Sequence, residues 1–331
     1  MSSTPTPSEQ LADRRPQKKR SVVDFVLDYG IYIALVLLVI FFAIASPFFL
    51  TPNNLLNIGQ AVARIGILAA GVTIALIARQ LDLSVGAVVG LTSVVAALLL
   101  NLGLPIGIVM VIALATAAIV GVLNGLLVVN FGINSIIATL ASTTVATGIA
   151  YLLSAGQVIG VKDSDGLGLV NERPLGIPLP VIGLGILYIA AWVFLTRTRF
   201  GWHIYATGGN PSAALRAGIR VRVIDRSVLI LSSLLAGVAG LLVVSRTTVG
   251  DPAYGANDVF LVLTAVLLGG IGLAGGAGHI QRTLAGVLVI GVLSNGLVLL
   301  DVQSYYQRIV QGAVLVLAVL LDAIRQKRKS R

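Results

Sequence analysis

From residue 29 to residue 323 the chain is a series of apolar runs, parted by short polar or glycine-rich breaks. The runs lie near 29–49, 58–78, 83–101, 105–129, 133–154, 177–196, 227–246, 259–273, 283–300 and 306–323. Most come close to the roughly 20 apolar residues an α-helix needs to cross a bilayer, and the run at 259–273 is the shortest. Only 11% of the residues are charged, against about 25% in soluble globular domains. One large water-soluble core is excluded, because it would still need a charged surface. Lipid removes that need: it solvates apolar side chains directly, while each helix satisfies its own backbone. The fold class that follows is all-α, a polytopic membrane protein with about ten transmembrane helices. The 37 glycines suit such a bundle, since small residues let membrane helices approach closely.

The net charge of +10 could suggest a nucleic-acid partner, but its placement argues against one. The cations cluster in a leader (Arg14, Arg15, Lys18, Lys19, Arg20), a central loop (Arg197, Arg199, Arg216, Arg220, Arg222, Arg226) and a tail (Arg325, Lys327, Arg328, Lys329, Arg331). Apolar spans separate the clusters, so no continuous basic face for nucleic acid exists. Basic segments beside apolar spans follow the positive-inside rule, which places all three in the cytoplasm. Six spans separate leader from loop and four separate loop from tail. Both counts are even, so charge and span number agree. The expected organisation is a disordered basic leader at 1–28, a transmembrane domain at 29–323 with a cytoplasmic loop at 197–226, and a basic tail at 324–331. The leader, the first run and Ala43-Ile44-Ala45 also outline a cleavable signal peptide. The run is longer than a signal core and Phe48 and Phe49 follow it, so an uncleaved first span is expected.

Helix breakers concentrate at Arg79-Gln80-Leu81-Asp82-Leu83-Ser84-Val85-Gly86 and between Leu268-Gly269-Gly270 and Gly275-Gly276-Ala277-Gly278. Glycine-interrupted segments in the two halves of a transporter often mark broken helices near a solute path. The two segments share little sequence, so they suggest an internal repeat without establishing one. The chain lacks a Gly-x-x-x-x-Gly-Lys-Ser/Thr loop for ATP, a His-Glu-x-x-His motif, a Gly-x-Ser-x-Gly motif and any cysteine. Enzymatic chemistry is therefore disfavoured. His203 and His279 are far apart in sequence and make no metal site.

The central loop holds the sharpest local motif. Asn210 can cap a helix whose first turn suits Pro211, and Gly218 can stop it. Ala213, Ala214 and Ala217 would give that helix a small-residue face, the shape that seats in a partner's groove. The alternative is an ordinary basic linker that only fixes topology, and docking is the favoured reading. On either reading, Ala214→Glu is a test of docking.

Asp82 and Ser84 fit a polar bend near a solute path. They fit equally a cytoplasmic turn neutralised by an Arg79–Asp82 pair, which the cost of a mid-bilayer charge favours. Arg64 is either functional or snorkels to the outer interface. Asp251 and Asp258, with Lys162, Asp163, Asp165, Glu172 and Arg173, read as solvated external loop charges or as a landing surface for an outside partner, the former being simpler.

In order along the chain, Thr51-Pro52-Asn53-Asn54-Leu55-Leu56-Asn57-Ile58, Leu81-Asp82-Leu83-Ser84-Val85-Gly86, Ser135-Ile136-Ile137-Ala138-Thr139-Leu140, Gly208-Gly209-Asn210-Pro211-Ser212-Ala213-Ala214-Leu215-Arg216-Ala217-Gly218-Ile219, and Leu267-Leu268-Gly269-Gly270 with Gly275-Gly276-Ala277-Gly278 resemble motifs of the permease subunits of ribose-type ABC sugar importers. The resemblance covers nearly the whole chain after residue 50. It implies a type II importer-like fold with broken or re-entrant segments. It also implies a homodimer with a second permease copy in lipid, a solute-binding protein outside, and a cytoplasmic ABC ATPase that binds ATP and magnesium itself, leaving this chain without cofactor or catalytic residue. Gly209, Asn210, Ala213, Ala214, Ala217 and Gly218 become the ATPase-coupling candidates. Asn57, Arg64, Asp82 and Ser84 become the translocation-path candidates. A small solute, a monosaccharide or similar polyol, is the implied cargo, imported across a bacterial inner membrane. Branched-chain amino-acid ABC permeases share this logic. An ion-coupled secondary transporter would want acids within its spans. Arg79 and Gln80 stand where the family usually has two glycines, and Arg282 and Thr283 where it has Gly-Thr.

Overall fold

A computed structural model describes residues 22–162, 167–168 and 172–329, with side chains from residue 29 to residue 324. The expected disorder of the basic leader, the loop acids Asp163 and Asp165, and the side chains of the basic tail lie outside the described residues. Helices α1 (Val22–Ala45), α2 (Pro52–Ile77), α3 (Val85–Asn101), α4 (Ile106–Val129), α5 (Ser135–Leu153) and α6 (Leu179–Arg197) form the first half. Two polar helices follow, α7 (Arg199–Gly209) and α8 (Pro211–Arg216). The second half contains α9 (Val221–Thr247), α10 (Asp258–Leu268), α11 (Ile280–Leu299) and α12 (Ser304–Lys329). Among the described residues, seven helices are long and apolar enough to cross a membrane, and α1, α3 and α10 contribute shorter apolar stretches.

Each of the ten apolar runs contains a helix, and the differences lie at the ends. Helix α2 starts at Pro52 instead of 58 because Pro suits the first helical position and the polar turn after it has a partner. Asn54 and Asn295 exchange two amide hydrogen bonds (3.0 and 2.8 Å) between α2 and α11. Helix α10 ends at Leu268, because Gly270 turns left-handed (φ 82°) and closes it with bonds from Gly270 N to Leu267 O and Ile271 N to Val266 O (2.8 and 3.3 Å). Helix α7 is an addition to a stretch expected to be loop. Thr198 caps it, its hydroxyl accepting from Gly201 N (3.1 Å).

Helix α2 is the axis of the bundle. Every residue from Val62 to Ile77 except Arg64 is buried, against α9, α10, α11 and α6. Helix α9 packs on α2, α3 and α4. Threonines 73 and 283 share a hydroxyl bond (2.9 Å) across α2 and α11, and Tyr188 of α6 donates to Gly66 O (3.1 Å). The outer faces are apolar: Ile119, Val145, Ile186 and Leu317 are exposed, as lipid-facing side chains are. Strands β1 (Ile159–Gly160) and β2 (Val249–Gly250) pair antiparallel, with Ile159 opposite Gly250, and tie the α5–α6 connection to the α9–α10 connection.

Candidate functional site

Two interruptions break the apolar helices, and the sequence places them far apart. The first is the irregular segment from Ala78 to Ser84 between α2 and α3. Irregular backbone at membrane depth needs protein partners for its amides and carbonyls. Helix α5 supplies them from one face, where Ser135, Thr139 and Thr143 recur every four residues. Ser135 Oγ accepts from Leu81 N (3.2 Å), Thr139 Oγ1 accepts from Leu83 N (3.2 Å), and Thr143 Oγ1 donates to Leu83 O (3.2 Å).

Asp82 is fully buried within this segment. Its Oδ1 accepts from the Ser84 amide (2.9 Å) and the Ser84 hydroxyl (2.6 Å), and Asn124 Nδ2 of α4 donates to Ser84 Oγ (2.9 Å). Ser232 of α9 faces the same carboxylate. The acid lies just before α3, where a helix N-terminus favours negative charge. The Arg79–Asp82 pair does not form. Arg79 instead donates from Nε to Ala274 O (2.6 Å), and an ion pair joins Arg64 to Asp258.

That pair bears on two residues read from the sequence. Arg64 lies midway along α2, about 18 Å from either end at 1.5 Å per residue, and its guanidinium is paired with Asp258 across to α10. Asp258 is buried in the first turn of α10 and is no solvated loop charge. Asp251 makes a local turn, its Oδ1 accepting from Ala253 N (2.8 Å), while its own amide donates to Ser93 Oγ of α3 (3.2 Å). Glu172 is exposed, as are Arg173 and Lys162. Asn57 is exposed on the second turn of α2, nearly two turns from Arg64, so of the four path candidates only Asp82 and Ser84 come together.

The second interruption is the glycine-rich loop between α10 and α11. It meets the first at the C-terminal end of α2: Gly276 N donates to Ile77 O (2.8 Å). Helix α7 closes the same corner. Gly208 is packed so tightly against the Ile77 carbonyl and Gly276 that a Cβ there would have no room, and Tyr205 Oη donates to Gly278 O (2.8 Å). Burial raises the Tyr205 phenol above its ordinary value, so it stays a donor through neutral and mildly alkaline pH.

Helix α8 leaves this corner as a capped unit. Asn210 Oδ1 accepts from Ala213 N (3.0 Å). Gly218 at φ 83° ends it, with Gly218 N bonded to Leu215 O and Ile219 N to Ala214 O (both 3.0 Å). The expected start and stop are both present, but the expected small face is divided. Ala213 and Ala217 are exposed, as are Gly209, Asn210 and Gly218, while Ala214 is buried against its own chain. The prominent apolar side chain is Leu215, 65% exposed, beside an open cleft of about 680 Å³ bordered by Pro211, Ser212, Arg220 and Arg222.

Apolar helices around a buried broken centre, with a capped polar helix presented at one end, define a multi-pass membrane transport protein. The chain belongs to the branched-chain amino acid transport system / permease component family, whose model matches residues 54–319. It is 39% identical over 298 residues to a ribose import permease protein of Escherichia coli, covering 89% of this chain and 93% of that one. A ribose import permease protein of Bacillus subtilis is 38% identical over 318 residues, covering 95% and 98%. An L-arabinose transport system permease protein of Escherichia coli is 33% identical over 301 residues, covering 91% and 92%. No solved structure gives a significant match.

Proposed function

We propose that this chain is the membrane-spanning permease subunit of an ATP-driven importer for a monosaccharide of the pentose class. The observation that carries the reading is the α7–α8 corner. A capped helix shows Leu215 to the outside while the residues before it are packed on both helix breaks. A partner seated on α8 would thus act directly on the interrupted segments. Relatives named for ribose and L-arabinose import supply the cargo class. They favour sugar over the amino acids that the family's description mentions.

In this reading ten helices span a bacterial inner membrane in a type II importer-like arrangement, α1, α3 and α10 included, with both termini and α8 in the cytoplasm. Two copies surround one path. A cytoplasmic ATPase that binds ATP and magnesium docks on Gly209, Asn210, Ala213, Leu215, Ala217 and Gly218, and a binding protein delivers solute from outside. Asp82 and Ser84 act by holding the start of α3. This chain performs no bond chemistry.

Reconstitution into liposomes with its ATPase and binding protein tests the reading by uptake of labelled ribose. Uptake is expected to require ATP. Leu215→Glu is expected to insert normally, lose ATPase association and cut uptake about tenfold or more, as loss of an interface anchor does. Ala214→Glu is a poorer probe than the sequence suggested, because it puts a carboxylate inside this chain's own packing. Sugar uptake driven by an ion gradient without the ATPase, or full coupling in Leu215→Glu, would overturn the proposal.

A further inference from the structure

The first half of α12 carries a polar face. Ser304, Gln307, Arg308 and Gln311 follow one another at helical spacing and lie on one side of the helix. With Asn257 and Phe260 at the start of α10 they line an open cleft of about 460 Å³ that extends down to Leu315. From Ser304 to Leu315 the helix axis advances about 17 Å at 1.5 Å per residue. Polar side chains on a spanning helix are accommodated against protein or a watered cavity, and these line a cavity.

Much of their hydrogen-bonding capacity is unspent. Gln307 Nε2 donates to Val302 O (2.7 Å) and Gln311 Nε2 to Ser294 Oγ (3.3 Å), which leaves both amide oxygens as acceptors. The Arg308 guanidinium and the Asn257 amide make no hydrogen bond or ion pair with any described residue. The Phe260 ring is 60% exposed. The cleft therefore offers donors, acceptors and an aromatic face together. A polyol hydroxyl both donates and accepts, and a sugar ring has apolar C–H faces that suit an aromatic surface. The volume lies within the range of small-molecule sites. An amino acid would need a carboxylate for its ammonium group. No acid lines the cleft, and neighbouring Asp258 is committed to Arg64.

We infer that the α10–α12 cleft is a solute-contacting site for a neutral, polyhydroxylated ring. Asn257, Gln307, Arg308 and Gln311 bond its hydroxyls and Phe260 packs on its apolar face. This rests on the sugar-permease reading above and adds a place to it.

The chain has no cysteine, so Gln311→Cys carries a single thiol. In liposomes with the ATPase and binding protein, that thiol is expected to react with a water-soluble, membrane-impermeant maleimide. Ribose or L-arabinose, whichever the system transports, is expected to slow the reaction severalfold, and leucine is not. Phe260→Ala and Gln311→Leu are each expected to cut uptake about tenfold, the scale of one lost solute contact, while the loaded binding protein still stimulates ATP hydrolysis. Two results would overturn the site: a thiol reached only by a lipid-soluble reagent, or unchanged uptake in both variants. Failure of the unaltered protein to take up any sugar with its partners would instead defeat the permease reading itself.

Discussion

Arg79 sits at φ 67°, in the left-handed region that an L side chain enters at a cost of about 1–2 kcal/mol. Its position explains the cost. Arg79 N bonds to Leu76 O and Gln80 N to Ala75 O (both 2.9 Å), the pair of bonds that closes a helix when the next residue turns left-handed. Glycine is the ordinary occupant of such a position, and the resembled permeases usually have it. Here the side chain supplies a compensation, the bond from Nε to Ala274 O (2.6 Å). Arg79→Ala loses that bond and keeps the strain, whereas Arg79→Gly loses the bond and removes the strain. Thermal unfolding of the purified protein should therefore find Arg79→Gly more stable than Arg79→Ala by about 1 kcal/mol. Equal stability would mean that the turn is not strained. The local half of this was legible in the sequence, since a glycine position filled by arginine is visible there. The partner is 195 residues away and was not. A separation of 194 residues likewise hid the pairing of Arg64 with Asp258, of which Arg64 alone read as functional or snorkelling and Asp258 alone as a loop charge.

At the scale of elements, the apolar runs were legible because lipid imposes one length and one polarity on every span. What escaped was the polar structure between and within them. Helix α7 is short and carries aromatic, basic and glycine residues, so no apolar run announced it. The hydroxyl row on α5 had a signal, Ser135, Thr139 and Thr143 at four-residue spacing. Threonine in membrane helices, however, also bonds its own preceding turn, as Thr116 does to Ile112 O (2.9 Å). The two roles separate by substitution. Thr139→Val keeps the shape and leaves the Leu83 amide without its partner, so it should lower stability by about 1–2 kcal/mol. Thr116→Val loses only a bond within its own helix and should stay within about 0.5 kcal/mol of the parent. Matching losses at both positions, in unfolding by denaturant in detergent, would show that the irregular segment does not depend on α5.

The whole molecule brings its two interruptions to one corner. Ile77 O accepts from Gly276 N, Arg79 reaches Ala274, Tyr205 holds Gly278, and Gly208 is wedged between Ile77 and Gly276. The pair α7–α8 is thus bonded to the ends of the broken segments and not merely suspended at one end of the bundle. In the proposed reading, the basic motif that would set topology is also the lever on the broken segments that alternating access would rearrange. A packed corner of this kind transmits displacement because it has no slack to absorb it. Gly208→Ala tests this directly. Its Cβ would collide with the Ile77 carbonyl, so α7 must shift away from the breaks while α8 keeps its cap and its exposed Leu215. The variant should still bind its ATPase in a pull-down from membranes. ATP hydrolysis should continue, and uptake per ATP should fall about tenfold, because a misplacement near 1 Å in a packed device has effects of that size or larger. Tyr205→Phe removes one bond without a clash and should show the same loss in milder form, about twofold to fivefold, as expected for one neutral hydrogen bond. If both variants transport with normal stoichiometry, energy reaches the solute path by some route other than this corner. If Gly208→Ala loses ATPase binding as well, α7 positions the docking helix and does not relay its motion.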